Sequence, residues 1–151
     1  MNISIRITPA TLADIPALSD LLTTLFTQEA EFTPDPAAQV RGLDHIIRQP
    51  ETGLILVARN EDAILGMVNL LYTVSTALGE RVALLEDMVI ADNARGQGIG
   101  GQLLEQAIAA SRRNGCRRIT LLTDRDNIVA QRFYQKHGFT ASPMRPYRLN
   151  L

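Results

Sequence analysis

The chain has 151 residues, of which 46% are hydrophobic and 21% charged, and its formal net charge is −1. This length and composition predict a single globular domain over residues 1–151 and exclude a disordered tail or a coiled coil. The near-neutral charge argues against nucleic acid as a partner, and the single cysteine, Cys116, excludes an intrachain disulfide. The N-terminus lacks the pattern of a signal peptide and the apolar runs are too short to span a bilayer, so we expect a cytoplasmic protein without a membrane partner.

The first half of the chain predicts one strand, two helices and then three strands. Alternating Ile3, Ile5 and Ile7 indicate a strand that closes at Pro9, and apolar residues at helical spacing predict a helix to about Phe26. A second helix is expected after Pro36, ending near Pro50. Three consecutive strands, expected to be antiparallel, are predicted at Gly53 to Arg59, Ala63 to Thr73 and Val82 to Ile90.

The second half predicts a helix, a strand and a last helix. The helix begins at Ile99 and ends at Asn114-Gly115, a favourable C-cap pair. Arg118 to Thr123 is a predicted strand, residues 127–137 form the last helix, and later prolines allow only edge strands from Phe139 onward. This order predicts an α/β (α+β) fold with one mixed, mostly antiparallel central sheet and helices on both faces.

A glycine-rich segment precedes the third predicted helix. Four of the six residues from Gly96 to Gly101 are glycine, which costs backbone entropy and indicates a backbone that a ligand approaches closely. Phosphate fits the free N–H groups and the helix dipole there, and Arg95 adds positive charge. The segment lacks the Gly-Lys-Ser/Thr of a nucleotide P-loop. It matches the dinucleotide pattern G-x-G-x-x-G, but only 50 residues follow Gly101, too few for the remaining strands of that fold.

Two motifs in this half resemble those of the GCN5-related N-acetyltransferase (GNAT) family. Arg95, Gly98 and Gly100 fill the three fixed positions of its signature, R/Q-x-x-G-x-G/A. Its second motif is an Asn, a small residue and Phe-Tyr, followed by a Gly-Phe turn. That motif is matched by Asn127, Ala130, Phe133-Tyr134 and Gly138-Phe139. The order of predicted elements also agrees with the family over nearly the whole chain.

The resemblance implies that acetyl-coenzyme A is the co-substrate. Backbone N–H groups of the glycine-rich segment would hold its pyrophosphate, and the end of the preceding strand would pair with its pantetheine arm. A backbone N–H of that strand could also hold the thioester oxygen as it becomes an oxyanion. The implied coenzyme-binding residues are Met88, Val89, Ile90, Arg95, Gly96, Gln97, Gly98, Ile99, Gly100, Gly101 and Asn127.

Tyr134 matches the family's usual general acid. A phenol has a pKa near 10, so at neutral pH it can donate a proton to the departing thiolate. The alternative is that the Phe133-Tyr134 pair only anchors the last helix.

The resemblance does not fix the general base. Glu86 and Asp87 are two carboxylates in an otherwise apolar strand, where charged residues are unusual. Alternation places Glu86 on the same face as Met88 and Ile90, and we select it as the base, acting directly or through water. Asp87 or solvent are the alternatives, as is simple surface pairing of both carboxylates with arginines.

Other polar residues are explained as well by simple exposure to solvent as by a functional role. Glu29, Glu31 and Asp35 could attract a cationic amine or form an ordinary exposed loop. His45 and His137 lack metal-ligand spacing with each other or with Cys116, so no metal is expected.

The predicted function is therefore transfer of acetyl from acetyl-coenzyme A to a primary amine, by direct attack in a ternary complex. The acceptor, a small-molecule amine or a peptide N-terminus, is not specified by the sequence. The alternatives are a sensor that binds the coenzyme without catalysis and, from the glycine pattern, a small dinucleotide-binding protein. A homodimer is expected only at the level of the family.

Overall fold

The computed structural model describes residues 4–151, so Ile3, which the sequence places in the first strand, lies outside the described residues. Within that part, five strands and four helices follow one another along the chain. They are β1 (Arg6–Pro9), α1 (Ile15–Gln28), α2 (Pro36–Arg48), β2 (Gly53–Arg59), β3 (Ile64–Ser75), β4 (Glu80–Ile90), α3 (Ile99–Arg113), β5 (Ile119–Leu121) and α4 (Ile128–Lys136).

The strands form one sheet in the order β1-β2-β3-β4-β5. The pairs β1–β2, β2–β3 and β3–β4 are antiparallel, whereas β5 runs parallel to β4. This arrangement confirms the predicted mixed, mostly antiparallel sheet. Strand β5 is shorter than predicted, and residues 139–151 contain no strand.

Each face of the sheet carries its own apolar core. On one face, Leu103 and Ala107 of α3 pack with Val68 and Leu85 of the sheet, and Phe133 of α4 joins their edge. On the other face, α1 and α2 pack against the sheet through residues such as Leu18, Leu22, Leu43, Val57 and Met67. Helices therefore cover both faces, as predicted.

Local signals fix where the helices that border the site begin. Asp35 caps α2 by accepting a hydrogen bond from the Ala38 amide at 3.2 Å, and Pro36 follows in the first turn. Before α1, Asp14 receives a bidentate ion pair from Arg59 of β2, with distances of 3.1 and 2.6 Å. This pair ties the start of α1 to the sheet. Among residues 4–151, no helix combines the length and apolar character needed to cross a membrane.

Candidate functional site

The outer edge of β4 is open over its last five residues. Strand β5 pairs only with Ala83–Leu85 of β4, whereas pairing with β3 continues to Ile90. Within the described part of the chain, residues 86–90 therefore have no strand partner on their outer side. Backbone N–H and C=O groups on such an edge are available to a ligand.

A cleft of about 540 Å³ lies along this edge, a size typical of small-molecule and cofactor sites. Four parts of the chain line it: the end of α1, the end of β4, the glycine-rich segment and α4. Its lining residues are Leu25, Gln28, Met88, Val89, Ile90, Ala94, Arg95, Gly96, Gly98, Ile99, Gly100, Gly101, Asn127, Val129, Ala130, Phe133 and Tyr134. The cleft thus brings together every predicted coenzyme-binding residue except Gln97, together with Tyr134 and without Glu86.

The glycine-rich segment presents unused hydrogen-bond donors to the cleft. Gly96 and Gly98 adopt φ angles of +77° and +78°, a conformation that favours glycine, and Gly98 is the N-cap of α3. The first hydrogen bond of α3 is donated by the Gln102 amide to the Gly98 carbonyl at 3.2 Å. Between residues 96 and 101, no amide N–H donates a hydrogen bond to another described residue. Together with the helix dipole, these donors favour an anion.

Gly100 and Gly101 are not required by the packing of the protein itself. A Cβ added at Gly100 would lie 3.6 Å from Cζ of Phe133, and one at Gly101 would lie 3.6 Å from Cε1 of His137. Both are ordinary van der Waals distances. The protein could therefore accommodate a methyl group at either position without moving its own atoms.

Two polar side chains of the cleft, those of Arg95 and Asn127, already form contacts within the protein. Arg95 lies 3.2 Å from Asp92 in an ion pair, and its Nε donates to the Ile90 carbonyl at 3.4 Å. Asn127 accepts a hydrogen bond from the Ala130 amide at 3.1 Å through Oδ1 and so caps α4. The side-chain NH₂ of Asn127 has no partner among the described residues and remains free to donate.

Tyr134 is held by aromatic contacts rather than by hydrogen bonds. Its ring packs edge-on against Phe133 and Phe139, with centroid distances of 5.2 and 5.7 Å. Burial, and to a smaller extent the negative charge of Glu29, raise the pKa of Tyr134 to about 12. The phenol therefore stays protonated at neutral pH, and no described residue forms a hydrogen bond with its hydroxyl group.

Glu29 follows the end of α1 and lies among other carboxylates. Burial and the negative charges of Asp87, Asp124, Glu86 and Glu31 raise the pKa of Glu29 to about 7. From the sequence, Glu29 was expected either to attract a cationic amine or to lie in an ordinary exposed loop. The excess of acidic residues without a basic neighbour was the available signal, but it could not place this carboxylate near Tyr134.

A second cavity, of about 270 Å³, lies between α1 and α2 and reaches Asn69 of β3 and Asp87 of β4. Asn69 donates a hydrogen bond from Nδ2 to Oδ2 of Asp87 at 3.0 Å. Burial raises the pKa of Asp87 to about 6, although the bond from Asn69 opposes that shift. Asn69 is only 4% exposed, and its Oδ1 has no hydrogen-bond partner. Asn69 was not among the predicted site residues; the signal that could have identified it is a carboxamide inside an apolar strand.

Glu86, the predicted base, lies outside both cavities. Asn69 pairs with Asp87 and Leu70 pairs with Leu85, so Glu86 is the extra, unpaired residue of a β-bulge, and its side chain is exposed. Leu85 and Met88 both pack against the α3 core, which strict alternation does not allow. The alternation on which the choice of Glu86 depended was therefore wrong for this part of β4.

No group of three or more His, Cys, Asp or Glu side chains within residues 4–151 is arranged to hold a metal ion.

Comparison with known proteins gives a consistent family assignment. The family model described as Acetyltransferase (GNAT) family matches residues 15–139. YhfO, an uncharacterized N-acetyltransferase of Bacillus subtilis (strain 168), is 29% identical over 118 residues, which cover 76% of this chain and 78% of YhfO. A transcriptional regulator from Bacillus halodurans C-125 has a solved structure with a TM-score of 0.82 and 28% identity; the match covers 98% of this chain and 100% of that one.

The aminoglycoside N-acetyltransferase AAC(6')-Iy, solved in complex with CoA, has a TM-score of 0.82 and 15% identity. The match covers 99% of this chain and 97% of that one. At this identity the likeness concerns the fold alone.

Proposed function

The chain belongs to the Acetyltransferase (GNAT) family, and from this premise we propose that it transfers acetyl from acetyl-coenzyme A to a primary amine by direct attack in a ternary complex. The observation that carries the proposal is the cleft along β4. Free amide donors, an unpaired strand edge and a protonated phenol line it together. They complement the three parts of the coenzyme that must be bound: a pyrophosphate, an arm with amide groups and a thioester.

In the proposed complex, the backbone amides of residues 96–101 donate to the pyrophosphate, and the α3 dipole adds to the attraction. The unpaired edge of Met88, Val89 and Ile90 pairs with the amides of the pantetheine arm, as an added strand would. Asn127 supports the arm with its free side-chain NH₂ while its Oδ1 continues to cap α4. The amides of residues 96–101 and the side-chain NH₂ of Asn127 are unused within the described chain, so they can bind the coenzyme without breaking an existing bond.

In the proposed reaction, the amine nitrogen attacks the thioester carbon, a C–N bond forms and the C–S bond breaks. A backbone N–H of the β4 edge stabilises the oxyanion of the tetrahedral intermediate. Tyr134 donates its proton to the departing sulfur, so that the products are the N-acetylated amine and free coenzyme A. The raised pKa of Tyr134 keeps that proton in place until the thiolate forms.

The proposed proton acceptor is Glu29 rather than Glu86. A general base works best when its pKa lies near the working pH, and that of Glu29 is about 7. Its charge raises the pKa of Tyr134, so the two groups lie near each other. Neither residue lines one of the two cavities, but Glu86 is exposed whereas Glu29 is half-buried. Glu29 therefore takes the proton that the amine loses on attack.

Of the two alternatives, the dinucleotide-binding reading finds no support in the fold. The dinucleotide-binding fold has a mostly parallel sheet. Here, strands β1 to β4 are all paired in antiparallel fashion. A sensor that binds acetyl-coenzyme A without turnover would share the cleft, and only a kinetic experiment separates it from an enzyme.

Replacing Tyr134 by Phe tests the proposal. The Y134F variant is expected to bind acetyl-coenzyme A within about twofold of wild type by calorimetry, because the ring contacts remain. Its kcat, measured as thiol release with a panel of primary amines, should fall on the order of 100-fold, a usual contribution of a general acid. Tyr147 is 94% exposed, and Y147F is the matched control, which should leave both quantities unchanged.

The outcomes separate the readings. Equal turnover in Y134F would remove the general-acid role, and binding without turnover of any amine would indicate a sensor. A wild-type protein that does not bind acetyl-coenzyme A would overturn the proposed function itself.

A further inference from the structure

The cavity between α1 and α2 is mainly apolar and is not used by the proposed coenzyme. Leu22 and Phe26 of α1 line it, as do Leu43 and Ile46 of α2. Phe32, in the loop between the helices, completes this wall and packs against Phe26 with a centroid distance of 5.6 Å. Such a wall accommodates the apolar body of a ligand, because it offers contact area without hydrogen-bonding groups.

The cavity has a polar end at Asn69 and Asp87, and the charged side chains that line the cavity are all negative. Asp35 and Asp87 line the cavity, and no Lys, Arg or His is among its lining residues in the described chain. Asn69 also lines it and is 4% exposed, with an Oδ1 that has no hydrogen-bond partner. A buried acceptor without a partner is costly, so this end of the cavity calls for a ligand that donates a hydrogen bond.

One polar side chain of the wall, that of Gln39, is already satisfied. Gln39 donates from Nε2 to the Ser19 carbonyl, the Ser19 hydroxyl and the Thr23 hydroxyl at 3.0 to 3.1 Å, and its Oε1 accepts from the Asp35 amide at 2.9 Å. Gln39 therefore leaves recognition of the amine to other lining residues, of which Asn69 and Asp87 lie together at the sheet.

We propose that this cavity is the acceptor site and that it selects a primary amine carried on an apolar body without an anionic group. The amine nitrogen donates to Oδ1 of Asn69 and to the carboxylate of Asp87, while the body of the acceptor fills the space between α1 and α2. The inference rests on the proposed acetyl transfer and names its substrate class.

The position of the cavity suits this role. Asp87 and Met88 are consecutive, yet Asp87 lines the cavity between the helices and Met88 lines the cleft along β4. An amine held at Asp87 therefore lies one residue along β4 from the proposed path of the pantetheine arm. An acceptor with a carboxylate would be repelled by Asp35 and Asp87, and a second ammonium group would be desolvated against the apolar wall.

Gly42 of α2 allows the cavity to be filled without disturbing the protein. It lines the cavity, and a Cβ added there would have no protein atom within 4 Å. With 2-phenylethylamine as the probe, G42L is expected to lower kcat/KM at least 10-fold and to leave the Kd of acetyl-coenzyme A within twofold. The matched control is A37L, which adds the same side chain to the exposed side of α2 and should change neither quantity.

Asn69 provides a second variant that tests the polar end. N69L keeps the branched shape and the number of side-chain heavy atoms but has no acceptor, and it should raise the KM for 2-phenylethylamine at least 10-fold with little change in the Kd of acetyl-coenzyme A. In the wild type, 2-phenylethylamine should exceed both L-phenylalanine and spermidine at least 10-fold in kcat/KM. L-phenylalanine adds a carboxylate to the same skeleton, and spermidine replaces the apolar body with further ammonium groups.

The inference is overturned if L-phenylalanine or spermidine is preferred, or if G42L and N69L both acetylate 2-phenylethylamine as wild type does. In those cases, acetyl transfer to some amine would still uphold the proposed function. Binding of acetyl-coenzyme A without acetylation of any amine, or no binding, would instead overturn the proposed function and this inference with it.

Discussion

Glu29 links the stability of the protein to its proposed chemistry. Burial and the charges of Asp87, Asp124, Glu86 and Glu31 raise its pKa from 4.5 to about 7. A carboxyl group whose pKa is raised in the folded state contributes most to stability below pH about 4.5, where it is protonated in both the folded and the unfolded protein. This contribution is lost as the pH rises through about 7, because ionisation then costs more in the folded protein than in the unfolded chain.

Replacing Glu29 by Gln removes this ionisation. E29Q is therefore expected to unfold at a higher temperature than wild type at pH 8 and at the same temperature at pH 4. At pH 8 the free energy of unfolding of E29Q should exceed that of wild type by about 1 kcal/mol, which raises the unfolding temperature by about 2–4 °C. This is less than the free energy that corresponds to the whole pKa shift, because solvent screens a partly exposed carboxylate. Calorimetric unfolding at the two pH values measures it. E61Q, in the exposed turn after β2, is the control without a pH-dependent gain.

The same variant tests the proposed base. If Glu29 accepts the proton, kcat/KM of the wild type should rise as the pH increases through about 7, where Glu29 ionises. E29Q should lack this rise, and its rate should be lower on the order of 100-fold. E86Q should keep the profile of the wild type. The reverse result, with the rise lost in E86Q and kept in E29Q, would restore the base selected from the sequence.

At the scale of single elements, a substitution at the start of α3 can distinguish a glycine that folding requires from one that ligand binding requires. Ala at Gly100 would make ordinary contacts with Phe133 and Ile90, at 3.6 and 3.8 Å. A Gly-to-Ala change at an unstrained helical position stabilises by about 0.4–1 kcal/mol. We therefore expect G100A to unfold at the same or a higher temperature than wild type, yet to bind acetyl-coenzyme A at least 10-fold more weakly, since its methyl group occupies the approach of the pyrophosphate.

Calorimetric unfolding and titration measure the two effects separately. Gly42 is also a helical glycine without close neighbours, so G42A is the control that should share the stabilisation and keep the affinity for acetyl-coenzyme A. A G100A variant that binds acetyl-coenzyme A as tightly as wild type would show that no ligand needs the space at this turn.

The elements that the sequence predicted well are those specified by local signals. Strand β2 has its predicted bounds, α2 begins at Pro36, and α3 ends next to Asn114-Gly115, where Gly115 has a φ of +81°. Caps and turn residues act within a few positions, so they can be read from one stretch of chain.

The features that sequence missed depend on pairing between distant segments. The bulge at Glu86 is set by the register between β3 and β4, and apolar residues on both sides of the strand conceal it from a period-two pattern. The same register places Asn69 beside Asp87. Glu29 gains its neighbours only when the end of α1 meets β4. The glycine-rich segment and Tyr134 could be found because they belong to recognisable motifs. Glu29, Asn69 and Asp87 belong to no such motif.

At the scale of the whole molecule, the cleft lies between the well-packed part of the fold and α4, the helix with the least buried surface. It is lined by the ends of α1 and β4, by the start of α3 and by α4. Helix α4 has no fully buried residue, unlike α3, where six are buried. A ligand that contacts both helices therefore adds contacts where the protein has few of its own, and α4 should gain the most protection from amide exchange when it binds.

This asymmetry leads to a prediction for the stability of the whole chain. A ligand that binds only the folded state stabilises it by RT ln(1 + [L]/Kd), about 2.7 kcal/mol at 100 times Kd. Acetyl-coenzyme A at that concentration should raise the unfolding temperature by about 5–10 °C, and NAD at the same concentration should leave it unchanged. G100A should lose about half of the shift or more, because a 10-fold weaker Kd lowers the stabilisation at this concentration to about 1.4 kcal/mol while the fold stays intact. A shift with NAD and none with acetyl-coenzyme A would mean that the glycine-rich segment holds a different phosphate ligand.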